Sequence, residues 1–181
     1  LESVTAKQMP YVELLQQLKQ EYAPPYVRST AQFVLNFRGL AKAHDRLIGD
    51  VFNENEIWHQ CPVTNNPGLL FHIYTLKSIL AYFLKQYPEA VSFSREALQY
   101  KDGAAGLLIC AQHNFYSSLA LLAEYPTVSA VHQSEYLEMI TANQEKMENW
   151  ATHAPMNFQH KYDLVEAEKA RVLGENWKAA E

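Results

Sequence analysis

Glycine and proline are scarce, six and eight among 181 residues, which excludes the collagen-like, linker and low-complexity classes that those residues dominate. Charge is thin as well. Charged side chains make up 19% of the chain against 48% hydrophobic, and the formal net charge is -5. A chain of this sign has no broad cationic field for phosphate or anionic lipid, and no local basic run supplies one, so neither nucleic acid nor a membrane surface is an expected partner. Cysteine is limited to Cys61 and Cys110, without metal-ligand spacing; Cys110 stands in an apolar run as a reduced, buried thiol would. That pattern favours a cytoplasmic location over an oxidising compartment. No basic stretch followed by a short apolar core and a small-residue cleavage site is visible, so no secretory signal is expected.

The missing charges matter most from Gly103 to Ala123, where no side chain is formally charged and the length would suffice to span a bilayer. The middle of that stretch decides against it. Gln112, His113, Asn114, Ser117 and Ser118 would sit in the thickest hydrocarbon, where unpartnered polar groups are costly, whereas a protein interior can pair them. What remains abundant is hydrophobic side chains, enough for one domain or a short array of repeats.

Their spacing is helical. Apolar residues return every three or four positions, with almost no strand-like alternation and no Asn-Gly hairpin turn, so the chain reads as all-α. Tyr11, Leu15, Leu18 and Tyr22 form a first stripe, which Ala23-Pro24-Pro25 ends. Val27, Ala31, Val34, Phe37 and Ala41 give the inner face of a second helix, leaving Arg28, Gln32 and Asn36 for solvent. A polar connection follows at 45–65, with room for a short helix near 54–60. Asn66-Pro67 is a helix start, a capping side chain before a residue preset for the first turn. Leu69, Ile73, Leu76, Leu80, Phe83 and Tyr87 stripe the long helix that follows; Pro88 opens a shorter one carrying Ala90, Phe93, Ala97 and Tyr100, able to lie antiparallel on its predecessor. Asp102-Gly103 breaks the chain, and the uncharged helix to about Glu124 is apolar on nearly every side, as a central buried helix would be. Ser129 caps a helix bearing Tyr136, Ile140, Met147 and Trp150; Ala154-Pro155 ends it. Phe158, Tyr162, Val165 and Val172 stripe the last full helix, closed by Gly174 in the left-handed conformation.

Tyr87-Pro88 and Tyr125-Pro126 punctuate the chain about 38 residues apart, within the range of helical repeats. Small residues stand where paired helices must approach: Ser78, Ala90 and Ala97 in one pair, Ala167 and Ala180 in another. The expected fold is a stack of antiparallel helix pairs, a tetratricopeptide-like α-solenoid of about seven or eight helices. The pairs fall at 8–44, 66–101, 104–153 and, incompletely, 155–181. The helix begun at Glu175 to Ala180 stops after about 10 Å, so the chain is expected to be one segment of a longer solenoid. The apolar side of Leu164, Ala167 and Val172 would then lack its neighbour and could be shielded by dimerisation.

Two stretches carry a resemblance. His113-Asn114-Phe115-Tyr116 runs into Ser-Ser-Leu-Ala-Leu-Leu-Ala at 117–123, and 142–174 reads ANQEKMENWATHAPMNFQHKYDLVEAEKARVLG. They resemble the helical region of large bacterial, often cyanobacterial, proteins that join a serine/threonine kinase, a STAND or AAA-like ATPase, GAF domains and a sensor histidine kinase. The likeness extends with less specificity to Leu47-Ile48-Gly49-Asp50 and the N-terminal helices. It implies a connector between the ATPase and the GAF and histidine-kinase part, within a parent whose kinase activity lies elsewhere. No phosphate loop, HRD or DFG triplet, or histidine-kinase nucleotide box occurs in this chain.

Residues that could carry chemistry have plainer readings. His113 and Asn114, inside an apolar helix, either point into a groove or hydrogen-bond to neighbouring helices, and the latter is the commoner fate of buried polar groups. Asn143, His153, Asn157, His160 and Tyr162 gather about Ala154-Pro155 as a turn lock would. His72, His113, His153 and His160 lack the paired helical spacing of zinc sites, so no metal or other cofactor is expected. Glu166 and Glu168 fall on different faces of their helix, and no Ser or Cys has an identifiable base, so no catalytic residue is assigned. Tyr116 and Trp58, off the main stripes, could anchor a partner. The expected function is a noncatalytic scaffold and relay that meets adjoining domains or a protein partner. His113, Asn114, Tyr116, Asn143, His160 and Tyr162 are the candidate contacts. A small-molecule effector sensor is the alternative, and a closed pocket lined by His113, Asn114 and Tyr116 would favour it, as an open groove would favour protein contact.

Overall fold

Helix boundaries follow the local chemistry of the chain. In the computed structural model, which describes residues 23–56 and 66–175 continuously and 10, 11, 14 and 17–19 before them, six α-helices are named. They are α1 (Ala23–Phe37), α2 (Pro67–Phe83), α3 (Tyr87–Leu98), α4 (Leu108–Glu124), α5 (Ala130–His153) and α6 (Pro155–Val172). Asn66 caps α2 by accepting from the Leu69 amide at 3.1 Å, with Pro67 in the first turn. Ser129 caps α5 through the His132 amide, and Gly174 closes α6 at φ 80°. Pro88 and Pro155 stand in the first turns of α3 and α6, where a missing amide hydrogen costs nothing.

Paired contacts fix the helix directions. Tyr26 reaches Asn66, Thr30 reaches His72 and Phe37 reaches Phe83, so α1 runs parallel to α2. Ser78 donates to the Ala90 carbonyl at 2.8 Å while Tyr74 stacks on Tyr100, so α3 runs antiparallel to α2. Tyr136 meets Glu124 and Asn143 meets Ser118, turning α5 against α4; Gln144 meets Tyr162 and Trp150 meets Phe158, turning α6 against α5. The result is one layer of neighbours α1, α2, α4 and α6, with α3 and α5 packed behind. Each helix packs mainly on those next to it. Among the described residues no substantial contact brings α5 or α6 back onto α1. The fold is all-α and built of stacked helix pairs, as the periodicity requires.

Burial follows the row. One cluster joins Ala81, Ala90 and Val91 to Phe115, Leu119, Ile140, Met147 and Val165 across α2 to α6; a second gathers Leu47, Phe52, Leu69, Ile73, Leu76 and Leu80. α4 contacts α2, α3, α5 and α6, and its one formally charged residue, Glu124, stands at its last position. Among the described residues no helix is long and apolar enough to cross a membrane. α4 begins at Leu108, later than the break at Asp102-Gly103 predicts, because Lys101–Ala104 forms a 3₁₀ turn and Gly106 takes φ 80°. That turn lies against the start of α2. A Cβ on Gly103 would fall 2.4 Å from the Gly68 nitrogen, and one on Gly68 2.5 Å from the Gly103 carbonyl oxygen, so neither position has room for a side chain.

The second helix differs from its periodicity. α1 ends at Phe37, so Ala41 lies outside it, and Gln32 and Asn36, predicted to face solvent, are buried. The polar connection is the reason. Its described part, to residue 56, folds back over α1 and α2, burying Leu47 and Phe52, and pairs Ile48 with Asn53 in an isolated antiparallel bridge. Asn36 Nδ2 donates to the carbonyls of Ala43, His44 and Arg46 at 3.0, 3.1 and 2.7 Å, holding the loop to the helix. Of the predicted short helix only 54–56 is described; Trp58, Cys61 and the rest of 57–65 lie outside the described residues. So do Leu15, Tyr22, Ala180 and the final helix expected to stop at Glu181. Of the first stripe, Tyr11 and Leu18 are exposed.

Candidate functional site

The six residues singled out from the sequence do not converge on one site. His113 and Asn114 are buried on α4, Tyr116 is half-buried, His160 is exposed on α6, and Asn143 and Tyr162 are half-buried on α5 and α6. His113 Nε2 lies 3.1 Å from Ser94 Oγ and 3.0 Å from the Ser94 carbonyl, and Ser94 Oγ donates to Ser117 at 2.8 Å. This is a bond between α3 and α4. Burial lowers the His113 pKa below its ordinary value, opposed by the Ser94 carbonyl and assisted by the nearby Lys146. Asn143 Nδ2 donates to Ser118 Oγ at 3.2 Å, and Ser118 Oγ donates to the Asn114 carbonyl at 3.0 Å, tying α5 to α4. Asn114 Oδ1 is buried without a hydrogen-bond partner. His160 lies 3.1 Å from its neighbour Lys161 Nζ, and Tyr162 contributes its carbonyl to Gln144 rather than its ring to a site.

A second buried polar element was not read from the sequence. Glu54, from the connection, pairs with Lys77 of α2 at 2.9 Å, with only 6% and 12% of the two side chains exposed. The Lys77 ammonium also stands 4.5 Å from the centre of the Phe93 ring. Glu54 Oε2 further accepts from the Leu47 amide at 3.2 Å. Loop, α2 and α3 thus meet at one charge pair. In the sequence, Glu54 and Lys77 stand in separate segments, one of them in a run of polar residues that looks solvated throughout. No spacing links them.

Among the described residues, aromatic side chains form a continuous ladder. Ring centres step from Phe33 to Phe37 at 4.8 Å, to Phe83 at 5.1 Å and to Tyr116 at 5.7 Å, crossing α1, α2 and α4. Tyr82 joins at 6.1 Å from Tyr116, its phenol close enough to Glu168 and Arg171 of α6 for both charges to act on it. Burial is the main cause of its raised pKa, with Glu168 adding and Arg171 opposing. Phe83 stays 51% exposed and Phe37 38%, although both lie on stripes predicted to face inward. They reach solvent because the helices end there, leaving no neighbouring turn to cover the last apolar position. Tyr116 belongs to this ladder, in line with its separation from the main stripes.

Among the described residues no group of three or more His, Cys, Asp or Glu side chains could hold a metal ion. His113, Asn114 and Tyr116 do not line the cleft where α4, α5 and α6 meet. That cleft, of about 350 Å³, is bounded by Gly106, Leu107, Leu108, Cys110, Ala111, Trp150 and Phe158. Comparison with protein families, curated proteins and solved structures finds no match for the chain.

Proposed function

We propose that this chain is a noncatalytic helical-repeat scaffold and relay segment of a multidomain cytoplasmic signalling kinase, where it contacts adjoining domains or a protein partner. The observation that carries the reading is the aromatic ladder from Phe37 through Phe83 to Tyr116, partly exposed along parallel helices. Exposed aromatic rings on a rigid surface are favoured anchors for protein contact, since they bury much apolar area for little lost side-chain freedom. A row in which each helix packs mainly on its neighbours also supports relay: displacement at one end changes curvature along the row rather than dissolving a shared core. The kinase context rests on the resemblance of 113–123 and 142–174 alone.

A photo-crosslinking amino acid placed at Phe83 or Tyr116 in the protein in its own cell should capture one defined domain or partner, while the same group at the exposed Glu145 of α5 should not. Equal capture from all three positions, or none from the ladder, sinks the reading.

A further inference from the structure

Residues 41–54 hold a place that a helix fills elsewhere in the row. α3 packs behind α2 and α4, and α5 behind α4 and α6. Lys77 of α2 touches both Glu54 and Phe93 of α3, so this strap stands beside α3, at the back of α1 and α2. Its backbone is irregular. The isolated bridge between Ile48 and Asn53 closes it, with the Gly49 amide donating to the Phe52 carbonyl at 2.9 Å and the Glu54 amide to that of Leu47 at 3.0 Å.

The strap is held to α2 by Leu47 and Phe52, buried against Leu69, Ile73, Leu76 and Leu80, and by the Glu54–Lys77 pair. A buried ion pair has little net worth, because lost hydration cancels most of its attraction. On the α1 side the closed strap carries a penalty. Asn36 Nδ2 donates to the carbonyls of Ala43, His44 and Arg46, which leaves Asn36 Oδ1 to accept from Gln32 Nε2 at 3.1 Å. Both amide orientations are thereby fixed. Gln32 Oε1 then faces Gly49, where a Cβ would fall 2.3 Å from it, and the Gly49 amide is already committed to Phe52. This buried oxygen accepts no hydrogen bond. An acceptor stripped of water and given no donor destabilises the arrangement that buries it, and the cost disappears once the strap moves away and water reaches Gln32.

α1 has its own seat on α2. Tyr26 with Asn66, Thr30 with His72 and Phe37 with Phe83 hold it there without the strap. Gln32 and Asn36, which the strap covers, are amides that water can satisfy in its place. We propose that the strap is a latch, opening as one unit while α1 stays on α2 and switching Lys77 from a buried ion pair to a solvated cation. Segments with few apolar anchors and little regular hydrogen bonding are those that open below the cost of global unfolding. The latch shares no residue with the aromatic ladder, and its test is independent of the crosslinking above.

Two readouts on the whole chain follow the opening. One is amide exchange at Leu47, Gly49 and Glu54; the other is acylation of Lys77 by an N-hydroxysuccinimide ester, with the exposed Lys85 as internal reference. In the unchanged protein the three strap amides should share one opening, about tenfold or more above that of the α1 amides at 31–36. Gly49→Ala, whose methyl group meets the Gln32 amide, and Phe52→Ala, which removes an anchor, should each raise strap exchange and Lys77 acylation by the same factor. Protection in α1 and α4 should not change. Strap amides that exchange only as fast as the slowest amides of α4, α1 exchange that rises with the strap's, or Lys77 acylation that stays flat while the strap exchanges overturns the proposal. So does a strap unaffected by either variant.

Discussion

His72 and His113 are held neutral by their surroundings, and that gives the fold a pH dependence of known sign. Burial pushes His72 down to about 4 from an ordinary 6.5, against a weaker opposing pull from the Tyr26 backbone, and burial lowers His113 in the same direction. The unfolded chain takes up these protons below pH 6.5, whereas the folded protein refuses them. Stability is therefore full above 6.5 and is lost as pH falls from there toward about 4. Urea midpoints measured from pH 7.5 to 5 should decline, and the His72→Gln, His113→Gln double variant should flatten that decline. A slope unchanged in the double variant would place the titration elsewhere. At this scale the sequence shows no more than two histidines in apolar helices. Whether each was a ligand or a paired interior group depended on Thr30 and Ser94, which approach from other helices.

At the scale of elements, the connection to residue 56 is held by Asn36 on one side and the Glu54–Lys77 pair on the other. Lys77→Met removes one partner and leaves Glu54 in a site with little water, which typically costs about 3–5 kcal/mol for a fully buried pair and less where water still reaches it. Denaturant unfolding should show that loss, and hydrogen exchange should place it first at the Leu47 and Glu54 amides, ahead of the amides of α5 and α6. Uniform acceleration across all helices would mean that the pair stabilises the whole fold rather than the loop. Element identity itself was legible in the sequence, because capping by Asn66 and Ser129, the prolines at 88 and 155, and Gly174 all act within a few residues of where they stand. The connection was not. Its buried residues Leu47, Phe52 and Glu54 follow no helical or strand period, so only the surface they settle on reveals their order.

For the whole molecule, packing between near neighbours predicts graded rather than uniform failure. Ile140, fully buried between α4 and α5, loses about 2–5 kcal/mol on truncation to alanine. In Ile140→Ala, native-state hydrogen exchange should accelerate in α5 and α6 while α1 to α3 keep their protection, as expected where repeats contribute separately. A common rate rise from α1 to α6 would mark one cooperative core instead.

The sequence by itself determined the all-α class, most helix limits, the central place of α4 and the Tyr-Pro junctions between paired helices, since these depend on backbone chemistry and local periodicity. Tertiary structure alone decided that α1 lies parallel to α2 with a folded loop beside it, that Gln32 and Asn36 turn inward, and that Phe37, Phe83 and Tyr116 align into one ladder. Periodicity reports which face of a helix is apolar. It carries no record of which distant segment arrives to cover that face, nor of where coverage stops at a helix end, and those two facts place every candidate contact described above.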